Sequence, residues 1–433
     1  MLYDELSALH AQDVLDGFLL YMYAVVLRSM KLTTQALKIF TQSVRRYPLN
    51  WSAWLALSKL CTDPEKLIGL DLPEHWVTEC FMGHVMTELQ QHEDALARLD
   101  SLSISFPNSQ YLALQRAKTY YNWLDFREAE RLFQQLAAED PYRLDGMDLY
   151  SNILFVMELR SQLSYLAHNA MKIDKYRPET CCIVGNYYSI KSQHARAVMY
   201  FHRALKLDRQ YLTAWTLMGH EYVEMKQTDA AIFAYRRAVD IDPRDYRAWY
   251  GLGQAYEMLT MYKYALYYHR KAVSLRAYDA RMWIALGNCY EQLKRSDEAI
   301  SCYKRAHRHN DQEGIAALRL ARLYRKKRRQ ADAVRYYEKL IESQDAEQNM
   351  GEGYAEALQF LARSYKEFGE YVKSEDYCRR LLDIGDHGQT DEAKSIMRDI
   401  RRLATSSVPG AEGNNLAVGP DASSSRGLWP MWS

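Results

Sequence analysis

Apolar and small residues recur along most of this chain with a period of 34 residues. In the copy that begins at Leu212, Trp215, Gly219 and Tyr222 are spaced three or four positions apart, and a second segment around Tyr235 shows the same spacing. This spacing is typical of one face of an α-helix. Each period therefore predicts two helices that pack against each other.

The same register extends in both directions from this copy. Eight contiguous copies start at Trp76, Gln110, Leu144, Pro178, Leu212, Tyr246, Ala280 and Gly314, and two more open at Gly17 and Ala355. The eighth position is small in all ten copies: Ala24, Gly83, Ala117, Ser151, Gly185, Gly219, Gly253, Gly287, Ala321 and Ala362. A 34-residue period with this order of large and small residues is typical of the tetratricopeptide repeat (TPR). We predict an all-α TPR superhelical solenoid of about ten helix-turn-helix repeats, in which the small residues let paired backbones approach closely.

The pattern divides the chain into five segments. They are a lead-in helix over 1–16, one complete and one truncated repeat over 17–75, eight repeats over 76–347, a linker loop with a last repeat and capping helix over 348–403, and a disordered tail over 404–433. The truncated copy starts at Trp51 and stops at Pro64, and residues 344–353 are expected to form a longer loop. Two interpretations of these irregular segments are open. Either they are insertions and deletions that repeat junctions tolerate, or they produce a kink in the superhelix. Because repeats contact only their neighbours, we count residues 14–403 as one elongated domain.

Composition excludes several classes of function. The 56 basic and 55 acidic side chains nearly cancel, which disfavours nucleic acid as the main partner. The most apolar run, Phe18 to Leu27, is too short to cross a membrane and matches the repeat spacing. The chain opens on acidic residues rather than on a secretory leader, and its seven cysteines form no CxxC pair. We expect an intracellular protein with reduced thiols and no membrane partner.

No catalytic or metal-binding motif is found. His307 and His309 are two residues apart on a predicted helix and cannot face one metal, and the other histidines show no ligand spacing with Cys, Asp or Glu. The motifs GxGxxG, GxxxxGK[ST] and GxSxG are not present. We therefore expect no catalytic residue, no metal and no cofactor.

The candidate binding surface is the inner groove, which the first helix of each repeat is expected to line. Position nine of five successive repeats carries mainly amide and imidazole groups, which both donate and accept hydrogen bonds and suit the backbone of an extended peptide. Positions five, twelve and thirteen add apolar groups and carboxylates, which would receive aliphatic and basic side chains. The candidate groove residues are Asn186, His220, Glu224, Tyr250, Gln254, Glu257, Ile284, Asn288, Glu291, Arg322 and Arg325. The alternative is an ordinary solvated helix face, and the basic run Arg322–Arg329 is either such a face or a patch for an acidic partner.

Several stretches include exposed positions that the repeat does not dictate. They are 2–6 (LYDEL), 10–13 (HAQD), 51–54 (WSAW), 213–222 (TAWTLMGHEY) and 244–254 (RDYRAWYGLGQ). Through these stretches the chain resembles the subunit-eight family of the anaphase-promoting complex, a cell-cycle ubiquitin ligase. The resemblance runs from about residue 2 to 340 and does not include the tail.

The resemblance implies a non-catalytic TPR scaffold that associates with the other TPR subunits of the ligase, in the nucleus and cytoplasm. It also implies homodimerisation through N-terminal repeats, of which we expect an upstream part to be missing, and a groove from Asn186 to Arg322 that receives the N-terminal segment of an activator protein. An unrelated TPR adaptor, for instance a chaperone co-factor, is the alternative. Against it, the carboxylate clamp of chaperone-tail binders is largely missing, because Cys182 and Leu217 stand where that clamp has lysine and asparagine.

Overall fold

The computed structural model describes residues 2–61, 67, 69–309, 311, 314–347 and 353–406. These residues form 23 helices and no strand, which confirms the all-α prediction. The helices are α1 (Leu2–Ala11), α2 (Gly17–Ser29), α3 (Thr33–Arg46), α4 (Trp51–Ser58), α5 (Trp76–Glu88), α6 (His92–Ser105), α7 (Gln110–Trp123), α8 (Phe126–Glu139), α9 (Met147–Val156), α10 (Arg160–Ile173), α11 (Pro178–Ser189), α12 (His194–Leu207), α13 (Leu212–Glu224), α14 (Thr228–Ile241), α15 (Tyr246–Met258), α16 (Tyr262–Leu275), α17 (Ala280–Gln292), α18 (Ser296–Arg308), α19 (Ile315–Lys326), α20 (Gln330–Glu347), α21 (Tyr354–Phe368), α22 (Tyr371–Ile384) and α23 (His387–Ser406). None of them is both long and apolar enough to cross a membrane.

The chain divides into two compact units, Met1–Lys294 and Arg295–Ser433, rather than the single elongated domain predicted. The apolar core of the first unit contains several clusters that join neighbouring repeats, and in the second unit one cluster extends from Ala317 to Ile400, as expected for a solenoid. All seven cysteines are buried, in agreement with the prediction that they act as small apolar residues.

Most first helices begin where the 34-residue register places a repeat start, for example at Gln110, Pro178 and Tyr246. Two start slightly later. Gly146 adopts a φ of +79° directly before α9, and Gly314 adopts a φ of +67° directly before α19, so each helix begins one residue after a left-handed glycine.

The helix ends beside the predicted loop and the predicted tail differ from the predicted bounds by a few residues. Helix α20 continues to Glu347, so residues 344–347 are helical rather than loop, and Gln344 is buried. Residues 348–352 of that loop, and Asp63 and Pro64 of the truncated repeat, lie outside the described residues. Helix α23 extends to Ser406 into the predicted tail, whose residues 407–433 are likewise outside the described part.

The small eighth position makes room for a ring rather than for a backbone. A Cβ built on Gly219 would lie 2.5 Å from Cε1 of Tyr235, a fully buried ring on the second helix of the same repeat. Gly253 meets His269 in the same way, and Gly251 of the next repeat meets Tyr235 from the other side. The nearest atoms are side-chain atoms, so the predicted close approach of backbones is wrong at these glycines.

The turn between the two helices of a repeat has one recurring conformation. The residue at position fifteen has a positive φ in all ten copies, and these residues are Lys31, Gln90, Leu124, Glu158, Ser192, Lys226, Thr260, Lys294, Arg328 and Gly369. At Thr260 the backbone N–H donates to the carbonyl of Glu257 (2.8 Å), and the N–H of Met261 donates to the carbonyl of Tyr256 (2.9 Å). These two bonds form a Schellman motif, which satisfies carbonyls at the end of the first helix and turns the chain into the second.

Within the first unit, arginine side chains also connect repeats that are distant in sequence. Arg276 is 6% exposed; its guanidinium donates to Gln90 Oε1 (3.0 Å), to the Tyr246 hydroxyl (2.8 Å) and to the backbone carbonyl of Asn122. Arg244 donates to backbone carbonyls at the end of α4. The later repeats of this unit therefore contact its early repeats directly.

Candidate functional site

Nine of the predicted groove residues lie in the first unit, on the first helices α11, α13, α15 and α17. Their exposure separates them into three groups. Asn186 is buried and Glu224 is exposed. The half-buried ones are His220, Tyr250, Gln254, Glu257, Ile284, Asn288 and Glu291. We call Glu224 and these seven residues the α13–α17 surface.

Asn186 joins adjacent repeats. It is 3% exposed, and its Nδ2 donates to Ser151 Oγ (2.8 Å) and to Asn152 Oδ1 (2.7 Å) on α9. Both amide hydrogens are thereby used inside the protein. Asn186 contributes to packing between repeats rather than to an accessible surface, which differs from the role that its position in the register predicts.

His220 connects the α13–α17 surface to the interior of its repeat. Its Nδ1 lies 2.8 Å from the hydroxyl of Tyr235, and the two rings are 5.5 Å apart and steeply inclined. Burial, followed by the nearby charge of Arg247, lowers the pKa of His220 to about 4. The imidazole is therefore neutral at neutral pH, and Nε2 can form one further hydrogen bond.

Tyr250 supplies an aromatic surface on the next first helix. Its ring packs edge-on against His269 with centroids 5.5 Å apart, and burial raises the pKa of the Tyr250 hydroxyl. The side chain therefore stays a neutral phenol, with an apolar ring and one polar group available to a ligand.

Glu257 is part of a cluster that the sequence did not reveal. Its Oε1 lies 3.3 Å from His269 Nε2 and accepts a hydrogen bond from Cys289 Sγ (2.9 Å). The three residues come from α15, α16 and α17 and are up to 32 positions apart. Spacing along the sequence did not indicate this cluster, because His269 meets Glu257 and Cys289 only through the packing of three helices. The one signal in the sequence is that the adjacent repeats carry tyrosine where this repeat carries His269.

In the second unit, Arg322 and Arg325 both bind Glu356. Arg322 donates through Nε (3.0 Å) and Nη2 (2.7 Å) to one carboxylate oxygen, and Arg325 Nη1 lies 3.2 Å from the other, which also accepts from the Tyr337 hydroxyl. Burial acts to raise the pKa of Glu356, but the hydrogen bonds from Arg322 and Tyr337 outweigh it and lower that pKa. These arginines hold together α19 and α21.

Other members of the basic run also have acidic neighbours. Lys327 pairs with Asp297, and Arg329 Nε lies 3.1 Å from Asp332. These contacts favour the solvated-face interpretation of Arg322–Arg329 over the acidic-partner patch, because part of the positive charge is balanced within the unit.

The α13–α17 surface combines three kinds of groups. Carboxylates occur on each of its three helices, at Glu224, Glu257 and Glu291. The helices α15 and α17 also carry half-buried Tyr250 and Ile284 and the amides of Gln254 and Asn288. Helix α13 contacts α15, and the Cys289–Glu257 hydrogen bond joins α15 to α17. The arrangement is suited to an extended peptide with basic and aliphatic side chains.

Comparison with known proteins adds independent information. Residues 1–117 match the family described as Anaphase promoting complex subunit 8 / Cdc23. Residues 219–259, 280–312 and 318–389 match families described as TPR repeat or Tetratricopeptide repeat. The TPR solenoid prediction is thereby confirmed.

Curated relatives carry the same names. "Anaphase-promoting complex subunit 8" of Arabidopsis thaliana is 51% identical over 196 residues, which are 45% of this chain and 34% of that protein. The protein of that name in Dictyostelium discoideum is 48% identical over 188 residues, 43% of this chain and 32% of the relative. "Cell division cycle protein 23 homolog" of Homo sapiens is 45% identical over 170 residues, 39% of this chain and 28% of the relative. The matched stretch spans about a third of each relative's length.

A solved structure shows the same fold. The crystal structure of the APC/C hetero-tetramer Cut9-Hcn1 matches with a TM-score of 0.62 and 18% identity, over 89% of this chain and 76% of the other. At this identity the match supports the solenoid architecture alone. The family match over residues 1–117 and the curated relatives show that the chain is similar to the anaphase-promoting complex subunit 8/Cdc23 family.

Proposed function

We propose that this chain is a non-catalytic TPR scaffold subunit of the anaphase-promoting complex, the cell-cycle ubiquitin ligase, and that it acts in the nucleus and cytoplasm. The similarity of residues 1–117 and of the curated relatives to the subunit 8/Cdc23 family supports this role. Stacked repeats present extended surfaces of the kind that bind other proteins. The partners are the other TPR subunits of the ligase, and homodimerisation through N-terminal repeats stays a prediction.

We further propose that the α13–α17 surface receives the N-terminal segment of an activator protein. One observation carries this proposal: three successive first helices carry carboxylates, and two of them also carry half-buried Tyr250 and Ile284 and the amides of Gln254 and Asn288. The carboxylates attract basic side chains, the apolar faces accept aliphatic ones, and the amides bind peptide backbone. The proposed surface leaves out Arg322 and Arg325, because both side chains are engaged with Glu356.

A peptide-binding measurement tests the docking proposal. We expect the double substitution Tyr250→Ala and Asn288→Ala to weaken binding of an activator N-terminal peptide at least tenfold, which corresponds to about 1.4 kcal/mol, as measured by fluorescence anisotropy. Tyr165→Ala is the matched control, because Tyr165 is 75% exposed on the second helix α10 and is not part of the surface.

Circular dichroism on the same samples establishes that the variants keep their helical content. Binding by the double variant that equals the wild type would exclude this surface. A loss of affinity in Tyr165→Ala of the same size would show that the effect is not specific to the surface.

Assembly is tested separately in dividing cells. The tagged chain should co-purify with the other TPR subunits of the ligase and with its RING and cullin-like subunits, detected by mass spectrometry. Recovery of chaperones without any ligase subunit would contradict the scaffold role and favour the alternative TPR adaptor.

A further inference from the structure

The interior of the first unit contains a cluster of three potential metal ligands from three consecutive helices. Glu257 Oε1 lies 3.3 Å from His269 Nε2 and 2.9 Å from Cys289 Sγ, and the ligand atoms of all three residues lie within 4.8 Å of one another. His269 and Cys289 are fully buried, whereas the Glu257 side chain is 28% exposed. One edge of the cluster therefore faces solvent.

His269 is the unusual member of this cluster. It occupies the position at which the neighbouring repeats bury Tyr235 and Tyr303, and Gly253 provides space for its ring. Tyr235 has His220 as a hydrogen-bond partner, but neither ring nitrogen of His269 has a hydrogen bond among the described residues. Burying polar nitrogens without partners is costly, and native interiors rarely do so without a reason. A bound cation gives Nε2 a partner.

We propose that Glu257, His269 and Cys289 bind a zinc ion. Carboxylate, imidazole and thiolate are the three side-chain types that zinc uses, and three protein ligands leave a fourth position for solvent. Bond lengths of about 2.0–2.3 Å in a tetrahedral site place neighbouring ligand atoms roughly 3.3–3.6 Å apart. The Nε2–Oε1 distance already fits, and the Sγ–Oε1 distance requires a shift of about 0.5 Å.

Charge balance is consistent with a divalent ion at this place. Zinc binding replaces the thiol proton of Cys289, which leaves to solvent, and the resulting thiolate and carboxylate together neutralise the two positive charges. Without metal, burial and the neighbouring Glu257 raise the pKa of Cys289, so the thiol stays protonated. The thiolate ligand favours zinc over magnesium or calcium, which prefer oxygen ligands.

The variant His269→Tyr provides a fold-compatible test, because tyrosine occupies this position in the flanking repeats. Tag-free protein in a phosphine reductant should bind one zinc ion per chain in isothermal titration, and cobalt should produce a thiolate-to-metal charge-transfer band. We expect His269→Tyr and Cys289→Ala each to weaken zinc binding at least a hundredfold and to abolish the cobalt band. Cys302→Ala, which removes a buried thiol outside the cluster, should bind as the wild type does.

The opposite results are equally clear. If the wild type binds no zinc, or if His269→Tyr and Cys289→Ala bind it as tightly as the wild type, the site does not exist. Melting curves for both variants exclude unfolding as the cause of a lost signal. None of these measurements depends on activator binding, so they test the zinc site independently of the proposed scaffold and docking function.

Discussion

His220 shows how a single side chain belongs both to the binding surface and to the interior. Its imidazole is half-buried on α13 and hydrogen-bonded to the hydroxyl of Tyr235, whose ring is held between Gly219 and Gly251. Replacing the histidine therefore changes the support of a buried ring as well as the surface. For this reason the peptide-binding test uses Tyr250 and Asn288 instead.

The lowered pKa of His220 predicts a loss of stability in acid. The folded pKa is about 4, below the ordinary value of 6.5, so between these values the unfolded chain binds the proton and the folded chain does not. This contribution to the free energy of unfolding is fully present above pH 6.5 and decreases as the pH falls towards 4, by a total on the order of 3 kcal/mol.

Unfolding followed by circular dichroism between pH 7 and 4.5 measures this effect. We expect His220→Gln to lose less stability over that range than the wild type does. The exposed His202 provides the control, since His202→Gln should keep the wild-type pH dependence. Equal slopes for His220→Gln and wild type would contradict the prediction.

At the scale of the element, the two-helix repeat depends on a left-handed turn that carries mostly non-glycine residues. Nine of the ten position-fifteen residues have a Cβ, and Gly369 is the exception. A left-handed residue other than glycine costs about 1–2 kcal/mol. The packing of the paired helices and the Schellman hydrogen bonds outweigh this cost, and in nine of the ten copies no glycine marks the turn.

Thr260 is the position at which this cost should be largest, because its branched Cβ is strongly disfavoured at a φ of +59°. Thr260→Gly should raise the free energy of unfolding by about 0.5–1 kcal/mol, since relief of strain exceeds the entropy that glycine adds to the unfolded chain. Urea denaturation measures the change.

Arg270→Gly is the comparison for this substitution. Arg270 is exposed in the interior of α16, where glycine relieves no strain and should cost about 1 kcal/mol. If both substitutions destabilise the protein equally, the turn at Thr260 does not store strain.

At the scale of the molecule, Arg276 connects the late repeats of the first unit to its early repeats through side-chain hydrogen bonds. Earlier repeats carry Asp174, Asp208 or Asp242 at the same position, where the aspartate ends the second helix. Arg276 instead extends to Gln90 and to the carbonyl of Asn122 in early repeats. Periodicity within one repeat contains no information about such contacts, because the residues involved are 154 and 186 positions apart.

Removing this side chain should loosen the contact between early and late repeats. We expect Arg276→Met to cost about 3 kcal/mol, because it leaves buried acceptors without their charged donor. Hydrogen exchange should accelerate at the turn that carries Gln90 and at the end of α7, which carries Asn122, both far from the substitution in sequence.

Arg281→Met is the matched control for this experiment. Arg281 also pairs with Asp279, at 3.0 Å, but its side chain is 57% exposed and it lies on α17. We expect a change within about 1 kcal/mol and unaltered exchange at the early repeats. Unaltered exchange in Arg276→Met as well would show that the long-range contact does not hold the unit closed.

The sequence by itself determined the all-helical fold, the repeat period and most helix starts. It could do so because a helix of period 3.6 in a repeat of 34 residues assigns each position its neighbours within the repeat, as at Gln110 and Tyr246. The family resemblance also came from the sequence, through stretches that include exposed residues, and the comparisons confirmed it.

Only the tertiary structure decided which side chains meet across helices. Glu257, His269 and Cys289 converge from three helices, Asn186 turns inward to α9, and Arg322 binds Glu356, although the register alone assigns Asn186 and Arg322 to an open groove. The physical reason is that the 34-residue pattern determines only which face of each helix points towards the neighbouring helices. Which polar groups pair on that face depends on distances between helices, which the pattern does not contain.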